Sequence, residues 1–405
     1  MSADDAPWQL ATRHPHRLAG SAGPLRFVGG AADLDPSGRI RHPGDRAEQI
    51  RGSLARADEA LAAVGCGLHD AMRLKVFYKS DGDVNEWDVL ASIVELLDAD
   101  PLPVVSLVPV PMQPFEGQSI QVQVMAQPGW RALDDIRFVS APVPESHRAR
   151  MDRSAITATL RAGEVIVAAN RTGHEAGPEP VDQSHAIMQS LDGDLAAVGA
   201  SLQDSVKLEG CYFGVSRADW APLAMARASH FSEPGPAATM VPCHVLWPQS
   251  AKTKIDVVAM RARRNGFDKY IPRIDCWPER VWDWPIELPY RQAINLRDTI
   301  WLGGQVPSEP FSNSGKRVSA GDLTEQTRFT FRYVAELLEG FDRSASDLAL
   351  AVCYFTSSGD QSDTTAFLDL VAESTGGVLP PMTLVPVPHM QTPDSTVEIW
   401  GVAPG

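Results

Sequence analysis

The sequence predicts an α+β protein built from three tandem copies of one domain, and three observations support this prediction. The stretch SLVPVP at residues 106–111 recurs as TLVPVP at residues 383–388, near the other end of the chain. The stretch LAAVG at residues 61–65 recurs unchanged at residues 195–199. With 405 residues the chain is too long for one ordinary core, and its length is typical of two to four domains.

Each copy begins with a short extended run that ends in a tight turn, as residues 25–28 do before Gly29 and Gly30. An amphipathic helix follows in the first copy, because Ile50, Leu54 and Leu61 share one face. A glycine at position 65 is expected to end this helix.

The first copy continues with a half-buried strand at residues 74–78 and a second helix near residues 86–97. Two further strands are expected around Val108 and residues 120–124. Alternation of apolar residues with glutamine at 120–124 predicts a sheet with one buried face. The order β, α, β, α, β, β is that of an α+β domain.

These landmarks predict three domains of one kind at residues 1–130, 131–264 and 286–405, with a connector at 265–285. Between the first and second copies, residues 127–153 are interpreted as a connection that includes the charged segment 145–153. The connector contains Trp277, Trp282 and Trp284, and such aromatic content is untypical of a flexible linker. We expect these side chains to pack along a domain boundary, with ligand stacking as the alternative.

Composition and motifs exclude several function classes. The formal net charge of -15 disfavours nucleic acid and anionic membranes as partners. No run of 18 apolar residues and no charged-then-apolar leader occurs, so we expect a cytoplasmic protein without a membrane segment. No GxxxxGK[ST], GxGxxG after a strand, GxSxG, HExxH or CxxC motif is present. We therefore predict no cofactor, no metal and a small-molecule substrate as the partner.

The repeated unit resembles the Rid family, also called YjgF or L-PSP. The third copy carries the strongest likeness, with PYRQA at residues 289–293, GGQVP at 303–307 and VEI at 397–399. The resemblance implies α+β subunits that form trimers, with clefts between subunits where enamines and imines are hydrolysed to ketones and ammonia. By this resemblance the chain is an intramolecular pseudo-trimer, monomeric as a chain, with three clefts that need not be equivalent.

The arginine with which the family grips a substrate carboxylate is missing three times. A guanidinium group matches a carboxylate with two charge-assisted hydrogen bonds. The corresponding positions hold Val105, Ala238 and Met382. The resemblance therefore implies a substrate held by other means and poor activity on simple 2-imino acids.

The resemblance also assigns the catalytic candidates. The family's water-activating glutamate falls on Gln121, Asp256 and Glu398 in the three copies, so Asp256 and Glu398 are the acidic candidates. A glutamate among apolar neighbours such as Val397 would be poised for proton transfer if burial raised its pKa. A solvent-facing glutamate on an edge strand is the alternative. The aromatic hydroxyl that lines the cleft maps to Tyr290.

Five further residues are predicted to bind substrate. Gly304 and Gln305 follow a glycine turn whose amide groups could hold a carbonyl or anionic oxygen. Thr383 begins the repeated strand, and His244 and His389 follow that strand in the second and third copies, where a cleft would open. Imidazole titrates near neutral pH and suits proton transfer. Ordinary turn, loop or packing roles are the alternatives.

The sequence favours a hydrolase or lyase acting on a small imine, enamine or related unsaturated metabolite in a cleft between domains. Chorismatases use a related fold with an acidic residue in a late strand and provide one alternative. Ring-opening amidohydrolases of cyanuric acid or barbiturate are another, although they need Ser/Lys pairs that do not recur here. A non-catalytic protein that binds a metabolite or acts as a scaffold is the third alternative.

Overall fold

The chain folds into three separate β-sheets, each accompanied by helices, as the predicted α+β class requires. The computed structural model describes residues 10–262 and 281–405. Each sheet together with its helices is called a domain below, numbered first to third in chain order. Most of the predicted connector, including Trp277, lies outside the described residues.

The first domain holds β1 (Ala19–Ala22), β2 (Leu25–Ala31), α1 (Arg46–Ala62), β3 (Ala71–Lys79), α2 (Glu86–Val94), β4 (Val104–Val110) and β5 (Ile120–Ala126). The sheet order is β1-β2-β5-β3-β4, with β3 and β4 parallel and the other neighbours antiparallel. Asp45 caps α1 by accepting a hydrogen bond from the amide of Glu48 at 3.1 Å. The helix ends at Ala62, and Gly65 then turns the chain with a φ of +75°.

The second domain adds an extra hairpin strand and a short helix. Its elements are β6 (Ile136–Pro142), α3 (Glu145–Met151), β7 (Ala155–Ala162), β8 (Val165–Thr172), α4 (Pro180–Ala197), β9 (Ser205–Phe213), α5 (Arg217–Ala228), β10 (Ala237–Cys243) and β11 (Thr253–Met260). The sheet order is β10-β9-β11-β8-β7-β6. The interpretation of residues 127–153 as a connection is therefore wrong. As an edge strand, β6 is mostly exposed, so it lacks the buried apolar pattern that predicts a strand.

The third domain repeats the strand arrangement of the first. It holds β12 (Ala293–Leu296), β13 (Thr299–Leu302), α6 (Leu323–Glu339), β14 (Leu350–Thr356), α7 (Gln361–Ser374), β15 (Met382–Val387) and β16 (Val397–Pro404). The order β12-β13-β16-β14-β15 matches the order of the first sheet element by element. The predicted order lacked β1 in the first sheet, β6 and β7 in the second and β12 in the third, all of which precede the first predicted strand of their sheet.

Two apolar cores occupy opposite faces of the sheets. One contains the apolar sides of the helices and the sheet faces that they cover. The other contains side chains from all three sheets, including Phe27, Val167, Trp301 and Trp400, and none from α1 to α7. Both faces of most strands are therefore buried, one by helices and one by other sheets.

The sheets contact one another through corresponding strands. In the described residues, β4 touches β7 and β8, β10 touches β13, and β15 touches β2. This packing corrects the prediction of a sheet with one buried face. Gln121 and Gln123 are 2% and 1% exposed, because their face of β5 meets the third domain and their amides form hydrogen bonds there.

Within residues 10–262 and 281–405, no helix combines the length and apolar character needed to span a bilayer. The same residues contain no group of three or more histidine, cysteine, aspartate and glutamate side chains placed to hold a metal ion.

Candidate active site

A cleft lies where the second and third domains meet, beside the contact between β10 and β13. Helix α5 contributes one side and residues 282–290 contribute another. The empty volume is about 720 Å³, counting the part that is open to solvent. Its lining comprises Arg217, Trp220, Ala224, Arg227, Ala238, Met240, Trp282, Trp284, Pro285, Tyr290, Gly304, Val306, Ser308, Gly315, Arg317, Gln391, Thr392 and Glu398.

Glu398 lies on β16 and lines this cleft, with 7% of its surface exposed. Burial raises the pKa of Glu398 to about 7, against the lowering effect of Arg317 and Lys207. Among the described residues, no hydrogen bond to its carboxylate contributes to this pKa. The solvent-facing alternative is excluded, and Glu398 can gain or lose a proton near neutral pH.

Gly304 provides the space that the Glu398 side chain occupies. A Cβ atom at position 304 would lie within 3.0 Å of Glu398 Oε1. The amide of Gly304 donates to Ala238 O at 2.9 Å, and the amide of Gln305 donates to Ile399 O at 2.7 Å. The prediction that these amides bind a substrate oxygen is therefore wrong, because the backbone already uses them.

Arg227 brings a guanidinium group into the cleft from α5. Its side chain is fully buried, and its Nε and Nη1 atoms have no hydrogen-bond partner among the described residues. Tyr290, predicted from the sequence, lines the same cleft, and its buried hydroxyl group interacts with this guanidinium group. Burial raises the pKa of Tyr290, and both the charge of Arg227 and a side-chain hydrogen bond with it oppose that rise. Buried polar atoms without partners favour a ligand that supplies them.

Arg317 and Arg217 add positive charge to the lining, which contains one carboxylate, that of Glu398. Arg317 Nη1 donates to Gly315 O at 3.3 Å, and Arg317 Nη2 donates to Gln391 Oε1 at 3.3 Å. This excess of positive charge in a chain of net charge -15 suits an anionic ligand.

These arginines were not predicted from the sequence, because an arginine was expected only at the three positions where the Rid family carries one. Val105, Ala238 and Met382 do lack the guanidinium group, but α5 and the loop before α6 supply it from elsewhere. A signal for Arg227 existed in the sequence. It falls on the apolar stripe of α5, seven residues after Trp220 and three after Ala224, where a charged residue needs a reason.

Tryptophans of the predicted connector form a wall of the cleft. Trp282 and Trp284 both line it, and their rings meet edge to face with centroids 5.2 Å apart. Trp282 Nε1 donates to Gln305 Oε1 at 3.2 Å. The side chain of Gln305, predicted to bind substrate, is buried and holds this tryptophan in place.

Asp256 does not join Glu398 in the cleft. It lies between the first and second domains, where Ser106 Oγ donates to it at 2.6 Å and the amide of Asn170 donates at 2.7 Å. Lys75 Nζ forms an ion pair with it at 3.1 Å. The structure therefore places this predicted catalytic residue in a closed network of buried charges, which also contains Glu209.

Gln121 occupies the position in the first domain that corresponds to Asp256 and Glu398. Its side chain is buried at the contact between the first and third domains and is hydrogen-bonded there. Its amide donates to Leu384 O at 2.7 Å and to Gln113 Oε1 at 3.1 Å. Thr383, predicted to bind substrate, lies at the same boundary and donates from Oγ1 to Gln123 Oε1 at 3.1 Å. Thr383 therefore lies outside the cleft that contains Glu398.

The two predicted histidines contact each other, not Glu398. The rings of His244 and His389 meet edge to face with centroids 4.4 Å apart, and neither residue lines the cleft. Burial lowers the pKa of His244, and the charge of His389 lowers it further. The arrangement matches the packing alternative.

Comparison with known proteins relates the third domain to one family. Residues 285–404 match the family described as Endoribonuclease L-PSP. A RutC family protein from Sulfurisphaera tokodaii is 33% identical over 66 residues, 16% of this chain and 50% of that protein. A RutC family protein from Pyrococcus horikoshii is 29% identical over 115 residues, 28% of this chain and 86% of that protein. The chain thus spans half the length of the first of these relatives.

One solved structure is similar over nearly the whole chain. It is described as a chorismatase, has a TM-score of 0.55 and 13% sequence identity, and the alignment covers 95% of this chain and 99% of that one. At this identity the likeness establishes the fold alone. The third domain thus matches the Rid/L-PSP family, and the chain as a whole shares its fold with a chorismatase.

Proposed function

We propose that the protein is a hydrolase or lyase that acts on a small unsaturated carboxylate in the cleft between the second and third domains. One observation carries the proposal. A buried carboxyl group with a pKa of about 7, that of Glu398, shares a cavity with unpartnered guanidinium atoms of Arg227. A proton donor and an anion anchor are the two groups that such a reaction needs.

Glu398 acts first as an acid and then as a base. In its protonated form it transfers the proton to the unsaturated bond, at nitrogen of an imine or at carbon of an enamine or enol ether. Water adds to the electron-poor carbon that results, and the Glu398 carboxylate accepts a proton from that water. Loss of ammonia or an alcohol leaves the ketone. Because protonation comes first, kcat/KM falls as the pH rises through about 7.

Arg227 and Arg317 bind and orient the substrate through its negative charge. A carboxylate would supply the hydrogen-bond acceptors that Nε and Nη1 of Arg227 lack, at the side of the cleft where Tyr290 offers a hydroxyl group. Trp220, Trp282 and Trp284 add flat apolar surface, which favours a ring in the substrate.

These features make a cyclic unsaturated carboxylate a stronger candidate than a simple 2-imino acid. The solved structure with the same fold is described as a chorismatase. Chorismate carries a ring, an enol ether and two carboxylates, so the arginines and tryptophans of the cleft would each have a partner. Chorismatase-like hydrolysis is the form of the proposal to test first.

The three domains are further proposed to form an intramolecular pseudo-trimer in which one cleft remains functional. The contacts of β4 with β8, β10 with β13 and β15 with β2 join corresponding strands of successive domains, which supports this arrangement. The closed networks at Asp256 and Gln121 support a single functional cleft.

The test compares chorismate with freshly generated 2-iminobutyrate, following products by liquid chromatography and ammonia release. We expect turnover of chorismate and at least a 100-fold loss in Glu398→Gln, since general acid–base catalysis contributes about that much. Glu164→Gln, at a surface ion pair, serves as the matched control. Turnover that survives in folded Glu398→Gln contradicts the proposal.

Two other outcomes distinguish the alternatives. Tight binding of either molecule without turnover, measured by calorimetry, would indicate a metabolite-binding or scaffold protein. Opening of cyanuric acid or barbiturate rings by the wild type would indicate amidohydrolase chemistry, with Glu398 in a different role.

A further inference from the structure

Lys207 lies on β9 and is fully buried. Its ammonium group donates to Thr239 Oγ1 at 2.6 Å and to the main-chain oxygen of Leu302 at 2.8 Å. The nitrogen also lies 4.1 Å from the centre of the Trp400 ring, a cation–π contact. These three contacts account for the three N–H groups of an ammonium ion.

Direct ion pairs neutralise other buried lysines but not this one. Lys75 Nζ lies 3.0 Å from Glu209 Oε2 and also pairs with Asp256, and Lys254 Nζ lies 2.8 Å from Glu86 Oε2. No ion pair in the described part of the chain includes Lys207. Burial lowers the pKa of Lys207 to about 7, while the more distant charges of Glu209 and Glu398 raise it.

Thr239 connects this lysine to the cleft. Because its Oγ1 accepts the hydrogen bond from Lys207, its own hydroxyl hydrogen is available for a different acceptor. Oγ1 lies 3.1 Å from the position that a Cβ of Gly304 would take, beside the space filled by Glu398 Oε1. At the corresponding position of the first domain, Ser106 Oγ donates directly to Asp256.

We propose that Lys207 is a positioning residue for Glu398. Its ammonium group fixes the Thr239 hydroxyl as a donor toward the cleft and favours the carboxylate form that Glu398 takes after giving up its proton. The role rests on the proposed function of Glu398, but the electrostatic part can be measured without a substrate.

The other groups that act on the pair are few. Besides Lys207, Arg317 also lowers the pKa of Glu398. The charge of Glu398 in turn raises the pKa of the Tyr212 and Tyr354 hydroxyl groups. Arg73 and Lys75 act on Lys207 from the neighbouring network. Substitution of Lys207 therefore removes one of two cations that act on Glu398.

The test measures the pKa of Glu398 by infrared or carbon-13 spectroscopy, with Glu398→Gln assigning the signal. In Lys207→Met we expect this pKa to rise by about one unit, because a nearby cation is lost. Lys207→Arg retains the charge and should leave the pKa close to the wild-type value. An unchanged pKa in folded Lys207→Met overturns the inference.

Thr239→Val tests the hydroxyl group and provides a second route should Lys207→Met not fold. We expect kcat to fall about tenfold with KM unchanged, while the pKa of Glu398 moves by less than about 0.3. An unchanged kcat contradicts the role of Thr239. A pKa shift in Lys207→Met without turnover of any substrate would support the electrostatic link and refute the proposed function separately.

Discussion

The cleft between the second and third domains and the contact between the first and second domains use corresponding strands, but their acidic residues differ in environment. Asp256 accepts hydrogen bonds from Ser106 and the Asn170 amide and pairs with Lys75. Glu398, at the corresponding position of β16, is raised in pKa by burial without such hydrogen bonds. A buried carboxylate can therefore exchange a proton near neutral pH where the described part of the protein provides it with no hydrogen-bond donors, as at Glu398.

One position in the turn before each acid contributes to the difference. Asn170 occupies the position that Gly304 has in the third domain. It takes a φ of +62°, and its main-chain N–H donates a hydrogen bond to Asp256. The amide of Gly304 donates to Ala238 O. The turn at Asn170 therefore stabilises the Asp256 carboxylate with a hydrogen bond. The turn at Gly304 leaves space for the Glu398 carboxylate without donating to it.

The same chemical change at the two acids should have opposite effects on stability, and the larger effect belongs to Asp256→Asn. It leaves the buried Lys75 with one carboxylate, Glu209, and disturbs two hydrogen bonds. Breaking a buried pair in this way costs about 3–5 kcal/mol of unfolding free energy. Urea denaturation measures the loss, and a change below about 1 kcal/mol would show that the network contributes little.

Glu398→Gln should stabilise the protein above neutral pH. The folded-state pKa of about 7 exceeds the ordinary value of 4.5, so the folded state binds more protons between these values and stability falls as the pH rises through that window. The glutamine variant escapes this loss, which amounts to about 3 kcal/mol at pH 8. Thermal unfolding at pH 5 and pH 8 should show the gain chiefly at pH 8; equal gains at both would place the pKa elsewhere.

Arg227→Met should weaken ligand binding without destabilising the fold. Loss of a charge-assisted bidentate contact is expected to reduce affinity for a carboxylate about 30- to 100-fold. The unfolding free energy should stay about equal, since removal of a buried guanidinium group whose Nε and Nη1 lack partners offsets the loss of its interaction with the Tyr290 hydroxyl. Calorimetric titration measures the affinity, with Arg150→Met at a surface ion pair as control. Unaltered affinity would assign the anchor to another residue.

Alanine substitution of two corresponding glycines, Gly304 and Gly30, should have smaller effects, on turnover in the first case and on stability in the second. In Gly304→Ala the new methyl group displaces the Glu398 carboxylate, so we expect about a tenfold loss of turnover with little change in stability. In Gly30→Ala it displaces Gln121, whose amide bonds to Leu384, so we expect a loss of about 1–2 kcal/mol in unfolding free energy and normal turnover. Identical behaviour of both variants would contradict the functional difference between these boundaries.

The order of strands and helices was largely predictable because it depends on local periodicity. The helix predicted from Ile50, Leu54 and Leu61 is α1, and the strand around Val108 is β4. The burial of Gln121 was not predictable from alternation, because a polar face against solvent and a polar face against another domain have the same pattern.

The site was predictable where one residue carries the signal and not where distant elements combine. Glu398, Gly304 and Tyr290 were predicted as site residues, and all three line the cleft, although the amide of Gly304 is used by the backbone. Arg227 and Arg317 reach it from a helix and a loop that have no motif, so only the folded chain shows their proximity. Asp256 has the acidic side chain of a catalytic residue, but Ser106 and Lys75, more than 100 positions earlier in the sequence, determine its role.

The hydrogen bond from Gln121 to Leu384 has a consequence for stoichiometry. A symmetric trimer of identical subunits would offer three equal sites, and its binding curve would report their average. Here the position that corresponds to Glu398 holds Gln121 in the first domain, whose amide is hydrogen-bonded, and Asp256 in the second, which is paired with Lys75. Glu398 is the one of the three that lines an open cleft. A titration should therefore saturate at one ligand per chain, with a single affinity.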